Sequence, residues 1–207
     1  MAIEHLSVAA SDLEVRGGLQ YVAITLFEDA TSVSFQNGVG QHQVNAIGGV
    51  GNARLFDLKQ GTGSLTTTGT KEGGTILFEH TVTFFVPNMS AQHMKALEEL
   101  KNQNLLVICG TYANRAANQA LVEGGTADGS NGTRYIIGAS EAFGLEDDQG
   151  NQQMFATLTS IEGSTGAAFG DENGVTVTIT AQSGEMPRVF KGTFTVQADT
   201  DGLVTIE

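Results

Sequence analysis

The stretch from Thr75 to Thr111, TILFEHTVTFFVPNMSAQHMKALEELKNQNLLVICGT, constrains the fold more than any other part of the chain, because its apolar period changes twice. Ile76, Phe78, Val82, Phe84 and Val86 alternate with Glu79, Thr81 and Thr83, which is the period of a strand buried on one face. Pro87 removes a ladder donor and stops the strand, and Asn88 or Ser90 can accept a hydrogen bond from the free N–H groups of a starting helix. Over about 88–102, Ala91, Met94, Leu97 and Leu100 recur at helical spacing, so Met94, Leu97 and Leu100 are expected to form one docked, structural stripe. The run LLVICG then returns as a strand too apolar to face water on either side. The helix therefore bridges two strands and lies across their sheet, and no other segment has a convincing helical period.

Elsewhere the chain is a series of short alternating runs: QYVAITLFE, TSVSF, HQVNAI, ARLFDLK, RYIIGASEAF, QMFATLTSI, VTVTITAQ, RVFKGTFTVQA and LVTIE. In VTVTITAQ, Val175, Val177 and Ile179 alternate with Thr176, Thr178 and Thr180, and the run RVFKGTFTVQA is read as its partner. With 27 glycines and 2 prolines in 207 residues, this predicts a single mainly β domain. Its expected form is a β-sandwich or partial barrel of antiparallel strands with one flanking α-helix and long loops or hairpin extensions.

Three stretches stand apart. Residues 1–18 end in Gly17-Gly18 and read as an N-terminal arm. Residues 60–74, QGTGSLTTTGTKEGG, are either the distal part of a long hairpin returning along the Thr75 strand or a loop. They hold too little apolar surface to order alone, so Thr62, Ser64, Thr67 and Lys71 are expected in a segment that docks on an adjacent subunit. Residues 113–133 are small and polar enough to be a mobile loop.

The residues that carry chemistry are dispersed. His5, His42, His80 and His93 include no pair at metal-ligand spacing on one element, and Cys109 sits between Leu105 and Gly110 as a small hydrophobe. Ser140 and Ser164 lack the glycines of a nucleophile elbow. GGVGNAR lacks the third glycine of a dinucleotide site, and no phosphate-loop lysine follows any glycine run. Val175 and Leu203 stand where calcium loops at Asp171 and Asp199 would need oxygen. No catalytic residue, metal or cofactor is expected. One cysteine, no secretory pattern and no membrane-length apolar run point to a soluble protein made in a reducing cytoplasm.

The formal net charge is −13, from 10 Lys and Arg against 23 Asp and Glu. Such a balance argues against binding a polyanion through counterion release and favours repelling one, while acidity by itself is also what keeps a chain soluble.

The element order, with a helix between TILFEHTVTFFV and NLLVICG, then RYIIGASEAFGLEDDQGNQ, TVTITAQSGEMPRVF and a last strand, resembles that of the tail tube proteins of tailed bacteriophages. The resemblance runs from about Val22 to Val196, and the helix and IIGASEAFGLEDD carry most of it. It implies a structural virion protein of the phage tail whose subunits close into hexameric rings, with inner sheets joined in one barrel and rings stacked into a conduit for genome ejection. It implies other tail proteins as partners, DNA passing without specific binding, no membrane, and no catalytic residues to carry over. Six copies would bring 6 × −13, or −78, formal charges to each ring. For the bore, the faces Glu79, Thr81, Thr83 and Thr176, Thr178, Thr180 are the candidates, since hydroxyls hydrate well and offer phosphate no cation. A capsid decoration protein or an adhesin-type virion domain is the alternative with the same β-rich, acidic composition.

Overall fold

The computed structural model describes residues 17–38, 41–48, 53–88, 90–112, 126–127, 134–139, 155–166, 173–192, 194–196 and 203–206. In chain order these form β1 (Leu19–Leu26), β2 (Ser32–Gly38), β3 (Gln41–Gly48), β4 (Ala53–Asp57), β5 (Gly63–Glu72), β6 (Thr75–Pro87), α1 (Ala91–Glu99) and β7 (Leu105–Thr111). They continue with β8 (Thr126–Ala127), β9 (Arg134–Ile137), β10 (Ala156–Ser164), β11 (Gly174–Ser183), β12 (Arg188–Phe190), β13 (Phe194–Val196) and β14 (Leu203–Ile206). Among the described residues the fold is mainly β with one α-helix, as the sequence pattern predicts. The expected arm at 1–18 lies outside the described residues but for Gly17 and Gly18, and of 113–133 only Thr126–Ala127 is described.

β1 and β7 pair antiparallel, with Ala23 opposite Ile108 and Leu26 opposite Leu105. Every residue from Leu105 to Gly110 is buried, because an apolar cluster lies on each side of the strand. On one side Val22, Ile24, Leu105, Val107 and Cys109 meet Val82, Phe84, Val177 and Ile179 across a sandwich interior. On the other, Tyr21, Ala23, Leu106 and Ile108 meet Val44, Ile47 and Phe190, where the sheet continues through β9 and β12 to β3 and curls back over β1 and β7. Two guanidinium groups are buried around this second cluster. Arg134 lies 5.4 Å from the Phe190 ring centroid, and Arg188 lies 5.0 Å from that of Phe35 and grips Glu185 through Nε and Nη2 at 3.0 and 2.7 Å.

The sandwich partner of β1 and β7 is the antiparallel series β5–β6–β11–β10. Among the described residues β10 pairs with the central strands only where Ala156 meets Leu105. The turn after β9 passes so close to this corner that only glycine fits. Gly138 has φ +89°, and a Cβ there would stand 2.4 Å from the Leu105 carbonyl oxygen and 2.9 Å from the Ala156 nitrogen.

Of the two readings of residues 60–74, the hairpin returning along the Thr75 strand is the one formed, with Gly63–Glu72 as β5. β5 pairs with β6 along all ten of its residues, and the hairpin closes at Gly73-Gly74, both at positive φ as a two-residue hairpin turn requires. Half-buried Leu65 packs against the core. A correction concerns β11, whose partners are β6 and β10. RVFKGTFTVQA instead splits into β12, which runs parallel to β3, and β13, which pairs with β8 and β14.

α1 is shorter than the 88–102 expected. Asn88 adopts a left-handed φ of 65°, Ser90 Oγ accepts the His93 N–H at 3.2 Å as the cap, and Asn102, at φ 60°, follows the last turn. Leu97 and Leu100 are buried, Ala96 packs beside them, and Arg54 reaches from β4 to Glu99 at 2.6 Å. Met94 does not dock; it is 47% exposed. The buried arc centres on Ala96, Leu97 and Leu100, which places Met94 on its rim.

Candidate functional site

The register of β5–β6–β11–β10 brings the two threonine faces singled out in the sequence onto one surface. Thr178 lies opposite Thr83, which lies opposite Ser64, and on the other side Thr178 faces Ser160. One step along the strands, Thr66, Thr81, Thr180 and Thr157 form a second cross-strand row. Beyond that row come Thr68, Glu79 and Gln182, and at the other end Phe85, Thr176 and Glu162. The opposite face of the same strands carries Val82, Phe84, Val177 and Ile179, all buried, so side-chain alternation fixes which face meets water.

A register shift between Leu158 and Ser160 puts one extra residue into β10. The Thr159 side chain thereby joins the hydroxyl face, 2.7 Å from Thr180 Oγ1, while Thr66 Oγ1 donates to the Thr81 carbonyl at 3.4 Å. Among the described residues of this face none is lysine or arginine, and Glu79 and Glu162 add negative charge. Such a surface orders water through hydroxyls and offers a phosphate no cationic partner.

The four strands alternate in direction, so the two edges of this sheet, β5 and β10, run oppositely. Among the described residues β5 pairs only with β6, and β10 beyond Ala156 pairs only with β11. Two rows of backbone donors and acceptors are thus left open at the two ends of one hydrated face.

The residues expected in an inter-subunit loop do not form a cluster. Ser64 belongs to the hydroxyl face, Thr62 sits in the turn before β5 with its hydroxyl donating to the Lys59 carbonyl at 2.6 Å, and Thr67 and Lys71 lie on the reverse face. Thr67 packs there with His80, which is 2% exposed. His80 Nε2 donates to the Glu185 carbonyl at 3.1 Å, which leaves Nδ1 to accept the Thr67 hydroxyl at 3.1 Å. Burial lowers the His80 pKa below its ordinary value, against the opposing pull of the Glu185 carbonyl and carboxylate, so the ring is held neutral.

Among the described residues no three of His, Cys, Asp or Glu converge to hold a metal ion. His42 and His93 bond backbone carbonyls, of Met186 at 2.8 Å and Asn88 at 3.0 Å, and Cys109 is fully buried with its thiol pKa pushed up by that burial. No helix among the described residues is long and apolar enough to cross a membrane.

Comparison with protein-family models, with curated proteins and with solved structures finds no match for this chain. The contributions of β5 and β10 to the hydroxyl face are what sequence reasoning missed. The alternation of Ser64, Thr66 and Thr68 was a usable signal, whereas the bulge at Thr159 breaks the period of β10 and hides it.

Proposed function

We propose that this chain is a structural subunit of a phage tail tube, in which copies close into rings by pairing β5 of one with β10 of the next, and rings stack into a conduit for DNA. The carrying observation is the hydroxyl face, continuous across four strands of alternating direction and, among the described residues, without cations and open at both edges. Because β5 and β10 run oppositely, a copy related by simple rotation presents an antiparallel partner to each open edge. Closure removes an exposed edge strand of ten residues that is otherwise a template for aggregation. In a hexameric ring, 6 × 4 strands form a barrel larger than the roughly 16–18 strands that already enclose an aqueous channel.

On this reading the hydroxyl rows line the bore, and the excess negative charge keeps DNA moving, since a channel without cations gains nothing from counterion release. The role is structural, with no reaction assigned to it. The test is negative-stain microscopy of the purified protein, combined with lysine at Thr81 and Thr178. Rings and tubes are expected, and in lysine-bearing tubes DNA passage should slow at low salt and recover as salt is raised. Discrete monomers or trimers at every concentration would overturn the reading in favour of a decoration or adhesin domain.

A further inference from the structure

The direction in which each backbone group points decides which residues can meet across the two edges, β5 and β10, that are open among the described residues. In an antiparallel ladder a residue turns its N–H and C=O to one side, and its neighbours along the strand turn theirs to the other. The Phe85 N–H bonds the Thr62 carbonyl at 3.1 Å, so along this register the even-numbered residues of β5 are spent on β6. Leu65, Thr67, Gly69 and Lys71 therefore aim theirs outward. On the far side the Asn88 N–H bonds the Asn173 carbonyl at 3.0 Å, which gives the odd-numbered residues of β11 to β6 and the even-numbered ones to β10. Their partners Ser160, Glu162 and Ser164 are thus spent, and Ile161 and Gly163 aim outward. Odd residues of β5 can bond only odd residues of β10 past the bulge, and the same parity sets Ser64, Thr66 and Thr68 beside Ser160, Glu162 and Ser164, which keeps the hydroxyls on one face.

Parity leaves registers two residues apart, and closure selects among them. The cross-strand row Ser64, Thr83, Thr178 and Ser160 crosses four strands, roughly 19 Å at about 4.8 Å per strand. If the row re-entered the next copy at Ser64 again, the strands would stand parallel to the ring axis, whereas closed barrels tilt theirs by roughly 35–45°. Re-entry at Thr68, a slip of roughly four residues or 13 Å, tilts them by about 35° whatever the number of copies. Re-entry at Thr66 gives a tilt of only about 19°. Re-entry at Thr70 gives about 46° and sets Ile161 opposite Gly69, which has no side chain to cover it. The same slip in the other sense would put Ser160 opposite Gln60, before β5 begins.

We propose that Ser64–Thr68 of one copy pairs antiparallel with Ser160–Ser164 of the next, Thr68 opposite Ser160, and that the bulge at Thr159 is the stop that fixes this register. The inference rests on the ring reading above and deepens it, by naming which residues of the two edges meet. Two observations agree with it. Ile161 lies on the core side of β10, opposite buried Val177, yet is 43% exposed because it stands at the sheet edge. In this register it faces Thr67 of the next copy and lies diagonal to Leu65, so closure covers an apolar side chain that one copy leaves in water. The ladder also ends at Ser160, where the extra residue between Leu158 and Ser160 interrupts the edge of β10, and a bulge at an edge terminates pairing.

Paired cysteines read the register directly. The even-numbered pairs are the ones without mutual hydrogen bonds, with Cα atoms about 4.5 Å apart and inside disulfide reach, whereas a register two residues off separates them by roughly 8 Å, outside it. Within one copy positions 68 and 160 stand three strands apart, so a link between them must join copies, and the native Cys109 is fully buried. Thr68→Cys with Ser160→Cys in one chain, assembled in reductant and then mildly oxidised, should give covalent oligomers up to a closed ring in non-reducing electrophoresis. Ser64→Cys with Ser164→Cys reads the same register from its other end and should do the same, which keeps the test alive if the first variant fails to fold. Thr66→Cys or Thr70→Cys, each with Ser160→Cys, should stay unlinked under the same conditions. Cross-linking by either of these in place of the first two would overturn the register. Rings or tubes by microscopy with no cross-link from any variant would overturn the pairing of these two edges and leave assembly into rings standing. Absence of rings and tubes from the wild-type chain would remove both.

Discussion

β7 and β11 are both apolar strands of the same domain, yet they differ in what their second face meets. β7 has a cluster on each side and hydroxyls on neither until Thr111, so every residue from Leu105 to Gly110 is committed to packing. β11 commits Val175, Val177, Ile179 and Ala181, with Gly174 and Ser183 buried at its ends, and leaves Thr176, Thr178 and Thr180 half-buried. Stability therefore concentrates where two faces are buried, and the freedom to carry a surface of chosen chemistry lies where one is. On this division the hydroxyl face is expected to add little to the fold.

The largest effect expected separates docked from undocked positions on α1. Leu97→Asp removes a side chain whose truncation to alanine alone typically costs about 2–5 kcal/mol, and adds the penalty of burying a carboxylate. Against a total stability of roughly 5–15 kcal/mol, no folded protein is expected. Met94→Asp, at a position 47% exposed, should change stability by less than about 0.5 kcal/mol in urea unfolding. Similar losses at the two positions would mean that the helix buries a wider arc.

An intermediate effect concerns His80, which ties the base of the hairpin to the segment after β11. Its folded pKa lies below the unfolded value near 6.5, so on acidification the unfolded chain takes up the proton first. The stabilisation by the neutral ring is therefore complete above about pH 6.5 and declines as pH falls toward the folded pKa. Asp57 works in the opposite sense, since burial raises its carboxyl pKa, but that contribution is common to wild type and a His80 variant. The gap in melting temperature between wild type and His80→Gln should be widest at pH 8 and narrow toward pH 5. A gap independent of pH would show that the ring is not held neutral.

What the sequence made legible follows the same division. Two-sided burial writes itself as a continuous apolar run, and one-sided burial as strict alternation, so β7, β6 and β11 were readable with their faces. Pairing between distant strands leaves no such mark. Nothing in RVF announces a parallel partner 146 residues earlier, where Val189 meets Gln43, and nothing in TVTIT names β10 and β6 as its neighbours. The rim position of Met94 was hidden because its spacing from Leu97 and Leu100 is helical whichever edge of the arc is docked. His80 was unreadable because its partners, Thr67 and Glu185, lie 13 and 105 residues away.

The smallest expected effect tests the hydroxyl face itself. Thr178→Val replaces one β-branched side chain by another of the same shape on a face where both suit a strand, and should cost less than about 0.5 kcal/mol. Thr180→Val also removes the 2.7 Å bond to Thr159, and a net hydrogen bond contributes roughly 0.5–1.5 kcal/mol where water does not replace it. For a domain of this size that corresponds to a melting shift of roughly 2–4 °C per kcal/mol, so Thr180→Val should melt a few degrees lower at most and Thr178→Val within a degree or two of wild type. By contrast, if either substitution lowered stability as much as a core truncation does, the hydroxyls would be part of what holds the sheet together. The face would then owe its uniformity to folding, and its fitness as the wall of a channel would lose its main support.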